Sequence, residues 1–218
     1  PTGIEEAEVR GLITLKSAEV RLAHPLYGEV RRARAAQTRL RRLRGVVAAE
    51  LAASHPPDDI RILVRRATLG IDSDVAQDPQ LLVSAAVGAM WLADLALADR
   101  LGDAAIHAGA GPEAHFVRAN LLSWLSRGAE AEAVIAATPT AGFSPTDHCR
   151  LAYVRSTIKL WTLGDPAGAK QILDDATPYA VTPEGRGWID SLRATYCAVM
   201  ADPAAALAVK RRVKARAI

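Results

Sequence analysis

A four-beat, alanine-rich phrase begins near Ala98, recurs to the end of this chain and limits what it can fold into. ADLALADRL surrounds Ala98, RGAEAEAVI surrounds Ala131, GDPAGAKQIL surrounds Ala169 and ADPAAALAV surrounds Ala206, at spacings of 33, 38 and 37 residues. Periods of this length belong to stacked helical hairpins, because one hairpin leaves its apolar stripe bare until the next covers it. Larger apolar residues follow each alanine by a few places: Leu101, Ile135, Ile172 with Leu173, and Val209. The alanines therefore mark where the second helix of a pair comes closest to its neighbour.

The punctuation agrees with that period. Gly109-Ala110-Gly111-Pro112, Thr138-Pro139-Thr140-Ala141-Gly142 and Thr177-Pro178 separate successive hairpins, while Ser126-Arg127-Gly128, Gly164-Asp165-Pro166 and Asp202-Pro203 turn the chain within them. Helices are expected at about 78–91 and 93–109, 112–126 and 128–137, 145–162 and 166–175, and 184–200 and 203–215. Trp91, Trp124 and Trp161 fall near the C-terminal ends of the first helices, at spacings of 33 and 37. They are read as core wedges between hairpins, with a ligand-stacking surface as the alternative. Trp188 sits near the start of its helix and breaks the series.

The region before the repeats has a different texture. Residues 11–23, GLITLKSAEVRLA, hold two short β-branched and Leu-rich runs around Lys16-Ser17 and predict a hairpin. Pro25 then opens a helix with Leu26, Tyr27 and Val30. Leu40, Leu43, Val47 and Leu51, spaced 3, 4 and 4, form one helical stripe that His55-Pro56-Pro57 stops. Asp58-Asp59 supply an N-cap for a further helix through Leu69, and residues 70–78 are a polar break. The chain divides into a front unit at 1–57 and a helical-repeat unit at 58–218.

Half of the 218 residues are hydrophobic and 23% are charged, which is globular rather than disordered. No stretch approaches a membrane span, and the Pro1-Thr2-Gly3 start reads as a fragment or processed product rather than a signal peptide. A cytoplasmic chain without membrane contact is expected. Cys149 and Cys197 form no disulfide framework and are read as buried thiols of a reducing compartment. The five histidines are scattered, and Asp147-His148-Cys149 points three ligands in different directions along a helix, so no metal site is expected. No phosphate loop or dinucleotide fingerprint is present. Asp174-Asp175 and Glu130 with Glu132 are read as solvated faces, and no catalytic residues are assigned.

The net charge is only +3, but Arg31, Arg32, Arg34, Arg39, Arg41, Arg42 and Arg44 lie within fourteen residues with no acid among them. A basic helix of this kind is solvated or acid-paired, or contacts a partner domain, or lies against nucleic-acid phosphates. The absence of a turn followed by a compact recognition helix weighs against the last. The closing run from Lys210 to Arg216 is a second basic knot.

VRLAHPLYGEVRRARAAQTRLRRLRGVVAAEL, residues 20–51, resembles the segment after the ATPase module in large MalT-like, LuxR-type transcriptional regulators of actinobacteria. There, an Arg-Leu-Ala-His-Pro-Leu-like motif ends a strand, a basic helix with alternating Arg and Leu follows, and tetratricopeptide-like hairpins come next. The resemblance implies an all-α fold of such repeats behind a small winged-helix-like segment with a short β-hairpin. It also implies neighbouring ATPase and helix-turn-helix domains outside these residues, with ATP or ADP bound in the intact protein and DNA contacted only through the absent domain. His24 matches the family's histidine, which implies a nucleotide-sensing role there; a local capping or packing histidine is the other reading.

The expected function is a non-catalytic sensory and connecting region of such a regulator, which recognises a protein, peptide or small inducer and shifts the arrangement of its neighbours. Arg31, Arg34, Arg41, Arg42 and Arg44 are the expected interdomain or partner contacts. Arg118, Asn120, Arg155 and Lys159, on first helices, are the expected concave-face residues. A free-standing helical-repeat adaptor for protein interaction is the alternative, and a basic helical nucleic-acid-binding protein ranks below it.

Overall fold

The computed structural model describes residues 2–16, 19–54 and 59–200. It is all-α apart from one hairpin. A short helix α1 (Thr2–Val9) precedes strands β1 (Ile13–Lys16) and β2 (Glu19–Leu22), which pair antiparallel with Ile13 opposite Leu22. The hairpin is where the alternating sequence places it. Helix α1 has no counterpart in the sequence expectations, since eight residues with one apolar flank give too little periodicity to read.

Helices α2 (Pro25–Arg34) and α3 (Gln37–Ser54) divide the arginine run, which is two helices and not a single basic one. The break is at Ala35, whose φ of −78° and ψ of 139° are extended. Helix α4 (Ile60–Ile71) starts from Asp59, whose side chain accepts from the amides of Arg61 and Ile62.

Paired helices follow: α5 (Pro79–Trp91) with α6 (Leu95–His107), α7 (Pro112–Trp124) with α8 (Gly128–Ala136), and α9 (Pro145–Thr157) with α10 (Pro166–Ala176). Helix α11 (Pro183–Val199) packs back on α9. The helix expected at 203–215, together with Ala206, Val209 and the closing basic run, lies outside the described residues. Proline opens α5, α7, α9, α10 and α11, where its missing N–H removes no helical bond. Asp78, Asp94, Ser144, Asp165 and Thr182 cap their helices with side-chain acceptors.

The core runs through the stack as three clusters. The first joins α4, α5, α6 and α7 around Leu82, Leu101 and Leu121; the second joins α7, α8, α9 and the turn after α9 around Leu122, Ile135 and Ile158. The third gathers Cys149, Leu173, Ile189 and Leu192 from α9, α10 and α11. Ala98, Ala131 and Ala169 are all buried, as their period requires. These are tetratricopeptide-like hairpins, each covering its neighbour's apolar stripe.

Arginines stitch the stack. Arg118 of α7 pairs with Asp99 of α6 at 3.0 Å and also with Asp103, and Arg127 reaches the same Asp99 at 2.6 Å. Arg150 of α9 grips Glu113 of α7 through both guanidinium nitrogens and lies 4.5 Å from the Phe116 ring centroid. Arg155 of α9 holds Glu132 of α8 at 2.6 Å. Glu130 and Glu132 are therefore not merely solvated: one pairs with Arg127 and the other is largely buried against Arg155.

Candidate binding surfaces

His24 stands at the junction of β2 and α2. Its backbone is extended, and its Nδ1 accepts from the Leu26 amide at 3.2 Å, so the side chain is the N-cap of α2. This is the local capping role. Helix α2 lies close to the hairpin at Gly28, where an added Cβ would stand 2.7 Å from a Leu22 methyl. Apart from that contact the front elements bury little. Leu12, Leu15, Val20, Leu22, Leu26, Tyr27 and Val30 are all exposed, and the core begins only at Val64.

The arginines separate into two groups. Arg41 donates from Nε and Nη2 to the Ser73 carbonyl at 3.3 and 3.1 Å, and Arg44 donates to the Asp72 carbonyl at 3.3 Å. Those carbonyls lie just past the C-terminus of α4, so two cations of α3 stabilise the negative end of the next helix. Close approach there depends on Gly45, buried with its α-carbon facing Val75. Arg31, Arg32, Arg34 and Arg39 instead line an open cleft of about 270 Å³ between α2 and α3, floored by Ala35, Leu40 and Leu43. Arg42 is exposed outside both groups.

The residues expected on a concave face differ in their surroundings. Arg118 and Arg155 are held by the acids of neighbouring helices, and Lys159 pairs with Asp165 at 3.3 Å across its own hairpin turn. Asn120 is exposed on α7. Asp147, His148 and Cys149 likewise diverge. Asp147 closes a capping box with Ser144, His148 stacks on Tyr179 at 4.5 Å, and Cys149 is fully buried. Among the described residues no three His, Cys, Asp or Glu side chains gather as metal ligands would, and no helix is long and apolar enough to cross a membrane.

The indoles overturn their expected role. Trp91, Trp124 and Trp161 are 80%, 62% and 63% exposed, so they are not wedges in the core. Trp91 and Trp124 end the first helices of their hairpins and Trp161 lies in the π-helical turn that follows α9; the chain then turns through a left-handed residue: Ala93 (φ 60°), Ser126 (φ 59°) and Gly164 (φ 62°). The third turn is one residue longer, and a π-helical turn at Ile158–Thr162 absorbs the extra residue. Adjacent turns touch: Ser123 and Thr162 share a hydroxyl hydrogen bond at 2.6 Å, and an added Cβ on Gly128 would stand 2.9 Å from Thr162 and Leu163 side-chain atoms. Trp91 and Trp124 thus stand two residues before the left-handed residue of their turns and Trp161 three before its own, so an exposed indole precedes each of the three turns. Leu92 and Leu163 beside them are also exposed. Trp188, outside the series, packs against Tyr153 at 5.0 Å.

Comparisons with protein-family models, with curated proteins and with solved structures find no significant match to this chain.

Proposed function

We propose that this chain is a non-catalytic protein-interaction scaffold, and that the edge bearing Trp91, Trp124 and Trp161 takes part in partner recognition. The carrying observation is that three large aromatic side chains, one before the turn within each hairpin, remain in water while the alanines between them are buried. Isolated exposed apolar residues are ordinary, but a repeated aromatic position along one edge is what an extended interface uses for anchors. The test is the triple variant W91A/W124A/W161A. Its unfolding midpoint should match wild type, because exposed side chains add little to the fold. A partner identified by cross-linking to the wild-type chain should bind it at least about tenfold more weakly. Equal affinity for both proteins, with that partner in hand, would sink this reading.

A second reading has separate support. The order of hairpin, His24-Pro25-Leu26 cap, basic helices and repeats resembles the central region of a LuxR-type regulator. The front elements also leave a broad apolar face that a neighbouring ATPase domain would cover. Under this reading the scaffold couples partner or inducer binding to ATPase and helix-turn-helix domains in the same polypeptide. His24→Ala in a regulator containing this region would then reduce ADP retention, and unchanged retention would remove the nucleotide-sensing role.

A further inference from the structure

The arginine cleft has a chemical complement elsewhere on the same chain. Helix α1 carries Ile4, Glu5, Glu8 and Val9, and at 100° per residue these four fall within one face of about 140°. All four are exposed, and Glu5 and Glu8 pair with no base among the described residues. Glu6 lies on the flank, tied to Arg10 at 2.6 Å. The helix thus presents two free carboxylates between two apolar side chains.

The cleft between α2 and α3 presents the inverse pattern. Arg31, Arg32, Arg34 and Arg39 surround an apolar floor of Ala35, Leu40 and Leu43. None of these arginines is ion-paired within the described residues, unlike Arg41 and Arg44, which are spent on α4. The first turn of α3 contains no acid, so its positive dipole end adds to the same field. A cleft of about 270 Å³ accepts a few side chains rather than a duplex. Planar guanidinium forks suit carboxylates in pairs.

We propose that the Ile4–Glu5–Glu8–Val9 face of one copy docks into the Arg31–Arg32–Arg34–Arg39 cleft of a second copy. Glu5 and Glu8 meet the arginines, and Ile4 or Val9 covers the apolar floor. An eight-residue helix buries less than the roughly 1,000 Å² of a stable interface, so the association is weak and sensitive to salt. Exposed pairs of this kind steer and register contacts more than they tighten them.

Sedimentation velocity on the full chain tests this. Concentration-dependent self-association is expected at about 50 mM salt and should vanish at about 500 mM. E5K/E8K alone and R31E/R34E/R39E alone should each weaken it at least about tenfold, with circular dichroism unchanged because every substituted residue is exposed. Mixing the two reversed variants restores both junctions, one with swapped charges and one with the native ones, so hetero-association should return. A wild-type chain that stays monomeric at low salt overturns the proposal, as does a mixture of folded variants that fails to associate. Self-association that survives both reversals assigns the contact to the indole edge or the hairpin and also overturns it. Tripolyphosphate and a duplex of about 15 base pairs are titrated in parallel. Either one saturating the cleft more tightly than the second copy would assign it to phosphate instead.

Discussion

Ala93 and Ser126 hold a conformation that their side chains disfavour. Both lie two residues after an exposed indole with φ near 60°, where Cβ crowds the following carbonyl by about 1–2 kcal/mol. The third hairpin meets the same requirement with Gly164, which has no Cβ. Ala93→Gly and Ser126→Gly are therefore expected to stabilise the chain, each by up to about 1 kcal/mol after the added flexibility of the unfolded state is subtracted. Urea unfolding checks this; a loss of stability at either position would mean that the methyl or hydroxyl has a role outside the turn. These turns also show how far single residues could be read. Ser126-Arg127-Gly128 announces a turn, and the obvious left-handed candidate is Gly128. The structure puts Ser126 there and makes Gly128 the first residue of α8, where Thr162 and Leu163 leave no room for a side chain. The need for glycine comes from a residue thirty-odd positions away, which no local rule contains.

At the scale of elements, the arginine run shows the same limit. Periodicity places the helices and gives the stripe of α3, but it does not say which arginines face α4. Arg41 and Arg44 do, through the Ser73 and Asp72 carbonyls, and Arg42 does not. Arg41→Ala should cost about 1 kcal/mol, combining lost hydrogen bonds with loss of a cation at a helix C-terminus. Arg42→Ala should stay within about 0.5 kcal/mol of wild type. Equal effects in urea titrations would mean that the run acts only through its net field. The helix breaks and buried alanines were legible because proline, glycine and period act locally or repeat. The charged stitches from Arg118, Arg127, Arg150 and Arg155 were not, since a partner one or two helices away leaves no local mark. The indoles mislead for a related reason. A large aromatic at a repeating position fits a core or an interface equally well, and only the observed exposure separates the two.

Across the whole molecule, the stack has a weak point in acid at Asp99. This carboxylate joins α6 to α7 through Arg118 and to the start of α8 through Arg127, so it serves two junctions of the stack. Burial by itself would raise its pKa. Hydrogen bonds from Arg127 and Arg118, with the charges of the same two groups, outweigh that effect and hold the carboxyl below the usual carboxylate range. A carboxyl with a lower pKa in the folded than in the unfolded chain contributes its stability fully above the unfolded value. That contribution disappears as pH falls through the folded value. Asp99→Asn keeps the shape but removes the charge. It should lower the urea midpoint clearly at neutral pH, and the gap to wild type should narrow below about pH 4, as wild-type Asp99 also becomes neutral. Because repeat arrays transmit stability between neighbours, the loss should extend to the α7–α8 pair, read as faster amide exchange in α8. A gap that stays constant with pH would show that Asp99 acts by shape alone. A gap that narrows without faster exchange in α8 would confine its electrostatic role to the α6–α7 junction.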